Sequence, residues 1–150
     1  MITIEKAQEN DLQEILALQY IAYQSEARLF NSTDIPPLKQ TIDEVRNEFD
    51  NGIFLKAVDE SGNIIGSVRA YEKDNTVYIG KLMVQPNMQK KGLGTKLLLE
   101  IEKQYPNKRY ELFTSTKSIS NIRLYEKFGY KIFRKEAVSQ ELEFVYLEKI

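Results

Sequence analysis

A chain of 150 residues, 42% of them hydrophobic and 29% charged, carries enough apolar material for one core and is expected to form a single domain over residues 1–150. It has no cysteine and no histidine, which excludes disulfides, thiolate metal sites, an acyl-cysteine intermediate and the commonest general base. Its net charge of −1, from 21 basic and 22 acidic residues, gives no electrostatic case for a nucleic-acid partner.

No apolar run approaches the ~20 residues that cross a bilayer, and no signal-peptide pattern stands at the start, so a cytoplasmic protein with no membrane partner is expected. Ile2 and Ile4 alternate with polar residues over Met1–Lys6, the pattern of a first strand. Asn10 or Asp11 can cap a helix with Glu14 returning the bond, and Leu12, Ile15, Leu16, Leu18, Gln19 and Ala22 then follow helical spacing. From Tyr23 through Leu38 the period is interrupted by Ser25, Asn31, Ser32, Asp34, Pro36 and Pro37, which predicts an irregular segment. A second helix is expected from Thr41 to Phe49, with Ile42, Val45 and Phe49 on one stripe.

Asn51-Gly52 turns the chain into a strand at Ile53–Val58, and Glu60–Asn63 is a hairpin loop whose returning strand is Ile64–Tyr71. Lys73–Asn75 forms the next hairpin, leading into the apolar run Val77–Val84. Three successive antiparallel strands on short loops do not fit a doubly wound nucleotide fold; they fit a mixed α+β sheet. Later elements are a helix from Leu93 to Tyr105, a break at Pro106-Asn107 and a strand at Arg109–Thr114. A short helix, Asn121–Lys127, capped by Ser118 or Ser120 and stopped at Gly129, precedes two strands, Tyr130–Val138 and Glu141–Leu147.

The stretch Gln89-Lys90-Lys91-Gly92-Leu93-Gly94 follows the run ending at Val84 and a turn at Gln85-Pro86-Asn87, and it opens a helix. The first turn of a helix has N–H donors without internal partners, and the helix dipole adds partial positive charge. Glycine admits a ligand against the backbone and tolerates positive φ. With Lys90, Lys91 and Lys96 around it, the loop reads as a site for a phosphate-bearing ligand. The plain alternative is that Pro86 and the glycines only turn the chain, the lysines being a solvated face. A Walker loop is excluded because Gly94 is followed by Thr95-Lys96, and a dinucleotide fingerprint because Leu97 stands where its third glycine would.

Gln/Arg-x-x-Gly-x-Gly/Ala after an apolar strand resembles the GNAT superfamily, the acyl-CoA-dependent N-acetyltransferases. Ser118–Tyr130, with its Leu-Tyr-x-Lys-x-Gly-Tyr order, looks like that family's C-terminal motif. The resemblance covers nearly the whole chain and implies the order β-α-α-β-β-β-α-β-α-β-β. That is a central, mostly antiparallel sheet of about seven strands with helices on both faces. It implies acetyl-CoA as co-substrate and no metal. Its coenzyme contacts would fall on Leu82, Met83 and Val84 in the strand, on Gln89, Lys90, Lys91, Gly92, Leu93, Gly94 and Thr95 in the loop, and on Asn121 and Tyr125 in the later helix. The family's common pattern has an asparagine seven residues before the tyrosine, where this chain has Ser118. Asn121 and Tyr125, four apart, share one helix face; the structural alternative makes them a helix-start residue and a packing tyrosine.

The implied reaction is attack of an amine on a thioester. An alkylamine is only about 0.04% neutral at pH 7, so it must lose a proton first. Tyr78, Glu72 and Glu111 lie on central strands where a base could stand, and none is singled out. By the resemblance, backbone N–H groups near Met83 and Val84 receive the developing oxyanion, a bulged fourth strand splays from the fifth, and Tyr125 protonates the departing thiolate. Gly80 and Pro86 are compatible with that distortion. Residues 24–50 hold six acids and three bases, a weak pointer to a cationic acceptor, with Tyr20, Tyr23 and Phe30 as walls. The acceptor is expected to be a small-molecule amine or a protein amino group. A non-catalytic acyl-CoA-binding or regulatory module on the same fold is the alternative. Homodimerisation is common in that family.

Overall fold

The computed structural model describes residues 1–29, 35–89, 92–140 and 142–150, apart from the side chains at 25, 26 and 29. Strands β1 (Thr3–Lys6), β2 (Ile53–Val58), β3 (Ile64–Lys73), β4 (Thr76–Val84), β5 (Arg109–Ser115), β6 (Lys131–Ala137) and β7 (Glu143–Lys149) form one sheet in the order β1-β2-β3-β4-β5-β7-β6. Every pairing in it is antiparallel except β4 with β5. This is the mixed α+β sheet that the hairpin spacing predicts.

Two-residue alternation gives the sheet two apolar faces. Leu55, Ala57, Val68, Ala70, Val77 and Ile79 turn one way and meet Leu93, Leu97, Leu98 and Ile101 of α3 (Leu93–Lys103), with Tyr125 of α4 (Ile119–Lys127) in the same core. Phe54 and Met83 belong to the opposite core, against Leu12, Ile15, Leu16 and Leu18 of α1 (Leu12–Leu29) and Val45 of α2 (Ile42–Asp50). Each fully buried aliphatic side chain contributes roughly 1.5–3 kcal/mol. Thr41 and Glu44 close a capping box that fixes the start of α2: Thr41 N–H donates to Glu44 Oε1 at 2.9 Å, and Glu44 N–H to Thr41 Oγ1 at 3.3 Å.

Three details differ from the sequence-based expectations. The first helix continues to Leu29, well past the last apolar position assigned to it, because Tyr23 and Ala27 still find apolar contacts around Ile35. Glu14 caps nothing at the start of α1; it accepts the Ile64 N–H at 2.9 Å and ties α1 to the start of β3, while Gln8 and Asp11 cap the short 3₁₀ turn before the helix. The α4 helix begins at Ile119 with Ser118 as its N-cap residue, two residues earlier than expected. The expected positions at Phe30, Asn31, Ser32, Asp34, Lys90, Lys91 and Glu141 lie outside the described residues.

α3 seats closely on β3 because Gly66 has no side chain. A Cβ there would stand 3.1 Å from Leu97 Cδ1, 3.2 Å from the Met83 carbonyl and 3.3 Å from Leu93 Cδ2. Gly66→Val should therefore lower stability by about 1–3 kcal/mol through overpacking, measured as a reduced urea midpoint.

Candidate functional site

β4 and β5 pair only at Thr76↔Arg109, Val77↔Tyr110 and Tyr78↔Glu111. Beyond those three pairs the facing edges separate, and the backbone donors and acceptors of 79–84 and 112–115 on that side have no strand partner among the described residues. Gln85 N–H donates to the Ile65 carbonyl at 2.8 Å, so it points toward β3. By alternation Met83 N–H points the same way, whereas the N–H groups of Leu82 and Val84 face the gap. Of the two expected donors, Val84 therefore faces the gap and Met83 faces β3, with Leu82 the other N–H on the gap side.

A bulge accompanies the separation. Ser67 pairs with Met83 and Arg69 with Gly80, so Lys81 and Leu82 together oppose the single Val68. The strained residue of the bulge is Lys81, at φ 51°, and not the neighbouring Gly80. A bulge bends its strand and sharpens its twist, which turns the second half of β4 away from β5.

The two strands run parallel, and each leads into a helix at the open end of the gap: β4 into α3 and β5 into α4. Gly92 is the N-cap residue of α3, at φ 79°, and it contributes no capping side chain. The first-turn amides that follow, at Leu93, Gly94 and Thr95, lack intrahelical acceptors. Among the described residues, a Cβ on Gly92 would meet no atom within 4 Å, and one on Gly94 would meet Leu124 Cδ2 alone, at 3.8 Å. Packing against the described residues therefore does not require a glycine at 94, and among them the hollow above that residue is open. Before the loop, Gln89 Nε2 donates to the Val84 carbonyl at 3.3 Å. Tyr125 is buried in α4, its ring 6.0 Å from that of Tyr130, and Asn121 is half-buried one turn earlier. Tyr130 in turn donates to Glu102 at 2.7 Å, and Lys149 Nζ lies 2.9 Å from the same carboxylate, so α3, the end of α4 and β7 are locked together. Burial and the Glu102 carboxylate push the Tyr130 hydroxyl far above the ordinary tyrosine range.

On the opposite face of the sheet a cleft of about 470 Å³ lies over the start of the gap, between α2 and strands β3, β4, β5 and β7. Its lining includes Tyr78 and Glu111 from the sequence-derived candidates. Glu72 is not part of it and pairs with Lys108 at 3.0 Å. Glu111 is held by Arg109 at 2.8 Å, and Arg109 also pairs with Glu148 at 2.8 Å. Tyr20 and Tyr23, expected as acceptor walls, stand elsewhere: Tyr20 borders a separate hollow with Ile21, Gln24, Arg28 and Pro86, and Tyr23 packs between cores. The walls of the larger cleft are instead Tyr71 stacked on Tyr78 (5.2 Å) and Phe113 beside Tyr146 (5.4 Å).

Two cations in this cleft escaped the sequence reading. Arg69, 5% exposed, donates to Glu48 at 2.7 Å and to Gln19 at 2.8 Å, and lies over the Phe54 ring. Burial lowers its pKa against the pull of Glu48, yet a guanidinium starts high enough to stay charged. Lys81 makes no ion pair or hydrogen bond to any described residue. Burial first, and the Arg69 charge second, hold its ammonium pKa below the usual lysine value, with Glu48 opposing. The available signals were Ser67-x-Arg69-x-Tyr71 alternating against Val68 and Ala70, and a lysine inside the apolar run 77–84.

A family model described as "Acetyltransferase (GNAT) family" matches residues 10–130. Among solved structures the chain is similar to the PaiA N-acetyltransferase of Thermoplasma acidophilum in complex with coenzyme A (20% identity, TM-score 0.81, covering 99% of this chain and 98% of that one). It is also similar to a phosphinothricin acetyltransferase of Sinorhizobium meliloti in complex with AcCoA (18%, TM-score 0.76, 99% and 87%) and to the ribosomal-protein-S18-alanine N-acetyltransferase of Escherichia coli (16%, TM-score 0.78, 99% and 93%). At these identities the likeness is one of fold. Among curated protein sequences none matches the chain significantly.

The two loop glycines should respond oppositely to alanine. Gly92→Ala forces a left-handed alanine and should cost about 1–2 kcal/mol in a denaturation midpoint. Gly94→Ala, in helical backbone with room for a methyl group, should instead gain up to about 1 kcal/mol.

Proposed function

Because the chain belongs to the acetyltransferase (GNAT) family, we propose that it is an N-acetyltransferase that passes the acetyl group of acetyl-CoA directly to a primary amine, working in the cytoplasm as one domain over residues 1–150. The observation that carries this reading is the parting of β4 from β5 after Tyr78↔Glu111. The gap has two helix starts at its mouth on one side, that of α3 without a capping side chain, and an open cleft on the other. Two substrates can therefore meet inside the sheet from opposite faces.

Each part has a chemical use. The amides of residues 92–95 suit a diphosphate, since the donors are fixed in place and the helix dipole adds to them, and Gln89, Lys90 and Lys91 precede them in the sequence. The open hollow over Gly94 fits such a group. Unpaired strand edges on β4 and β5 accept an extended amide-bearing arm as a strand would, and Asn121 borders that arm from α4. Acetyl-CoA, when bound, supplies the activated acyl group. Leu82 and Val84 N–H groups offer donors to the carbonyl oxygen as it gains charge, in a position that needs no rearrangement. The amine nitrogen loses one proton and bonds to the acyl carbon while the carbon–sulfur bond breaks. Tyr125 gives its hydroxyl proton to the sulfur and recovers one from the amine side, so the products are the amide and free thiol. Glu111, paired with Arg109, lines the acceptor cleft.

Calorimetry with acetyl-CoA should register binding, and thiol release should follow with amines from a panel of amino acids, polyamines, aminoglycosides and peptides. Absence of heat would overturn the reading; binding without any thiol release would leave the chain an acyl-CoA-binding module. Tyr125→Phe should lower kcat on the order of 10²-fold with coenzyme affinity nearly intact, and an equal loss in both would remove the proton-donor role. Gly94→Ala should weaken coenzyme binding by roughly tenfold even though it does not harm the fold.

A further inference from the structure

The acceptor cleft has a charge pattern that selects its ligand. Of its two cations, Arg69 is matched by Glu48, which also accepts Gln40 Nε2 at 2.8 Å. Lys81 is matched by nothing among the described residues. Arg69 offers a ligand its field rather than a free donor: Nη1 and Nη2 are taken by Glu48 and Gln19, and Nε is buried without a hydrogen-bond partner among the described residues. The other end of the cleft has the opposite sign, because Glu111 shares the single cation Arg109 with Glu148. Between these poles stand the stacked pair Tyr71 and Tyr78 and the pair Phe113 and Tyr146. A purely cationic amine would face Lys81, whose charge has no counter-ion among the described residues. The acid excess in residues 24–50 does not change this, since Glu48 is the acid of that segment lining the cleft and it is committed to Arg69.

Building on the acetyltransferase reading, we propose that the acceptor is a free amino acid with a large apolar side chain, its carboxylate paired with Lys81 and its side chain between the two aromatic pairs. Lys81 is suited to this as a residue of the bulge. It sits beside Leu82, whose N–H faces the gap, so a carboxylate anchored there keeps the neighbouring α-amine close to the line of attack. The cleft volume of about 470 Å³ is of the right order for such a ligand. The product is an N-acetylamino acid.

The test compares matched acceptors in a thiol-release assay with acetyl-CoA: phenylalanine, phenylalaninamide and phenylethylamine, and leucine with its amide and its decarboxylated amine. The acids should exceed both neutralised partners by roughly tenfold or more in kcat/KM. Lys81→Met retains the stem and the same backbone demand, and should erase most of that ratio, while Lys81→Arg should retain part of it. The inference is overturned if amides or decarboxylated amines match the acids, or if Lys81→Met leaves the preference standing. Equilibrium binding of N-acetylphenylalanine and its amide to the coenzyme-loaded protein separates the two readings. Equal affinity sinks the carboxylate anchor even if turnover is seen, whereas preferential binding without any turnover removes only the enzymatic reading.

Discussion

The architecture depends on a pairing that stops. Among the described residues β4 and β5 are the only parallel neighbours in the sheet, and they share three residue pairs. Had the ladder continued to Val84 and Ser115, the sheet would be an uninterrupted wall and the helices on its two faces would have nothing to communicate through. The bulge at Lys81–Leu82 supplies the local cause, since the extra residue on β4 adds bend and twist beyond Gly80. Because β4 and β5 point the same way, both following helices begin at the open end. Free strand edges and free helix amides thus converge in one place, which is where open sheets commonly bind ligands.

Holding a gap open inside a sheet requires rigid surroundings, and the two faces provide them differently. On the α3 side the means is apolar density: Leu97, Leu98 and Ile101 are fully buried, and Gly66 lets the helix sit close against β3. On the α1/α2 side it is a polar network. Gln19 links Arg69 to the Pro37 carbonyl and to Gln40; Gln40 bridges to Glu48, and its own carbonyl accepts the Tyr20 hydroxyl. A buried arginine is tolerated only when its charge and donors are largely met, and here Glu48, Gln19 and Gln40 meet most of them. This network fixes α1, α2 and β3 to one another beside the cleft, with directional bonds where the opposite face uses shape.

The sequence made the frame legible because that frame is periodic. Apolar runs bounded by turn residues mark the strands, Thr41 and Gly92 mark helix starts, and the Gln89–Gly94 loop announces its position through glycine spacing. What escaped was set by tertiary contact. Arg69 is an ordinary strand residue until Glu48 and Gln19 arrive from two other elements. The cleft walls come from four strands: Tyr71 from β3, Tyr78 from β4, and, farther along the chain, Phe113 and Tyr146 from β5 and β7. No local pattern announces such a meeting. Glu14 shows the converse error, a residue with the right spacing for a cap whose carboxylate found a better donor 50 positions away.

The position of Lys81 joins these threads. A lysine at φ 51° costs of order 1–2 kcal/mol relative to a glycine, and Gly80 is adjacent in the chain. The register nevertheless puts the left-handed turn on the residue with a long cationic side chain. A further penalty comes from sinking that ammonium beside Arg69 without a carboxylate of its own. No ion pair or hydrogen bond to a described residue offsets the buried charge, and Glu48 opposes the penalty only in part. Strain and unpaired charge coincide where the strand bends into the gap. Such features persist where the surrounding fold over-determines them, and they are concentrated at places where ligands are gripped.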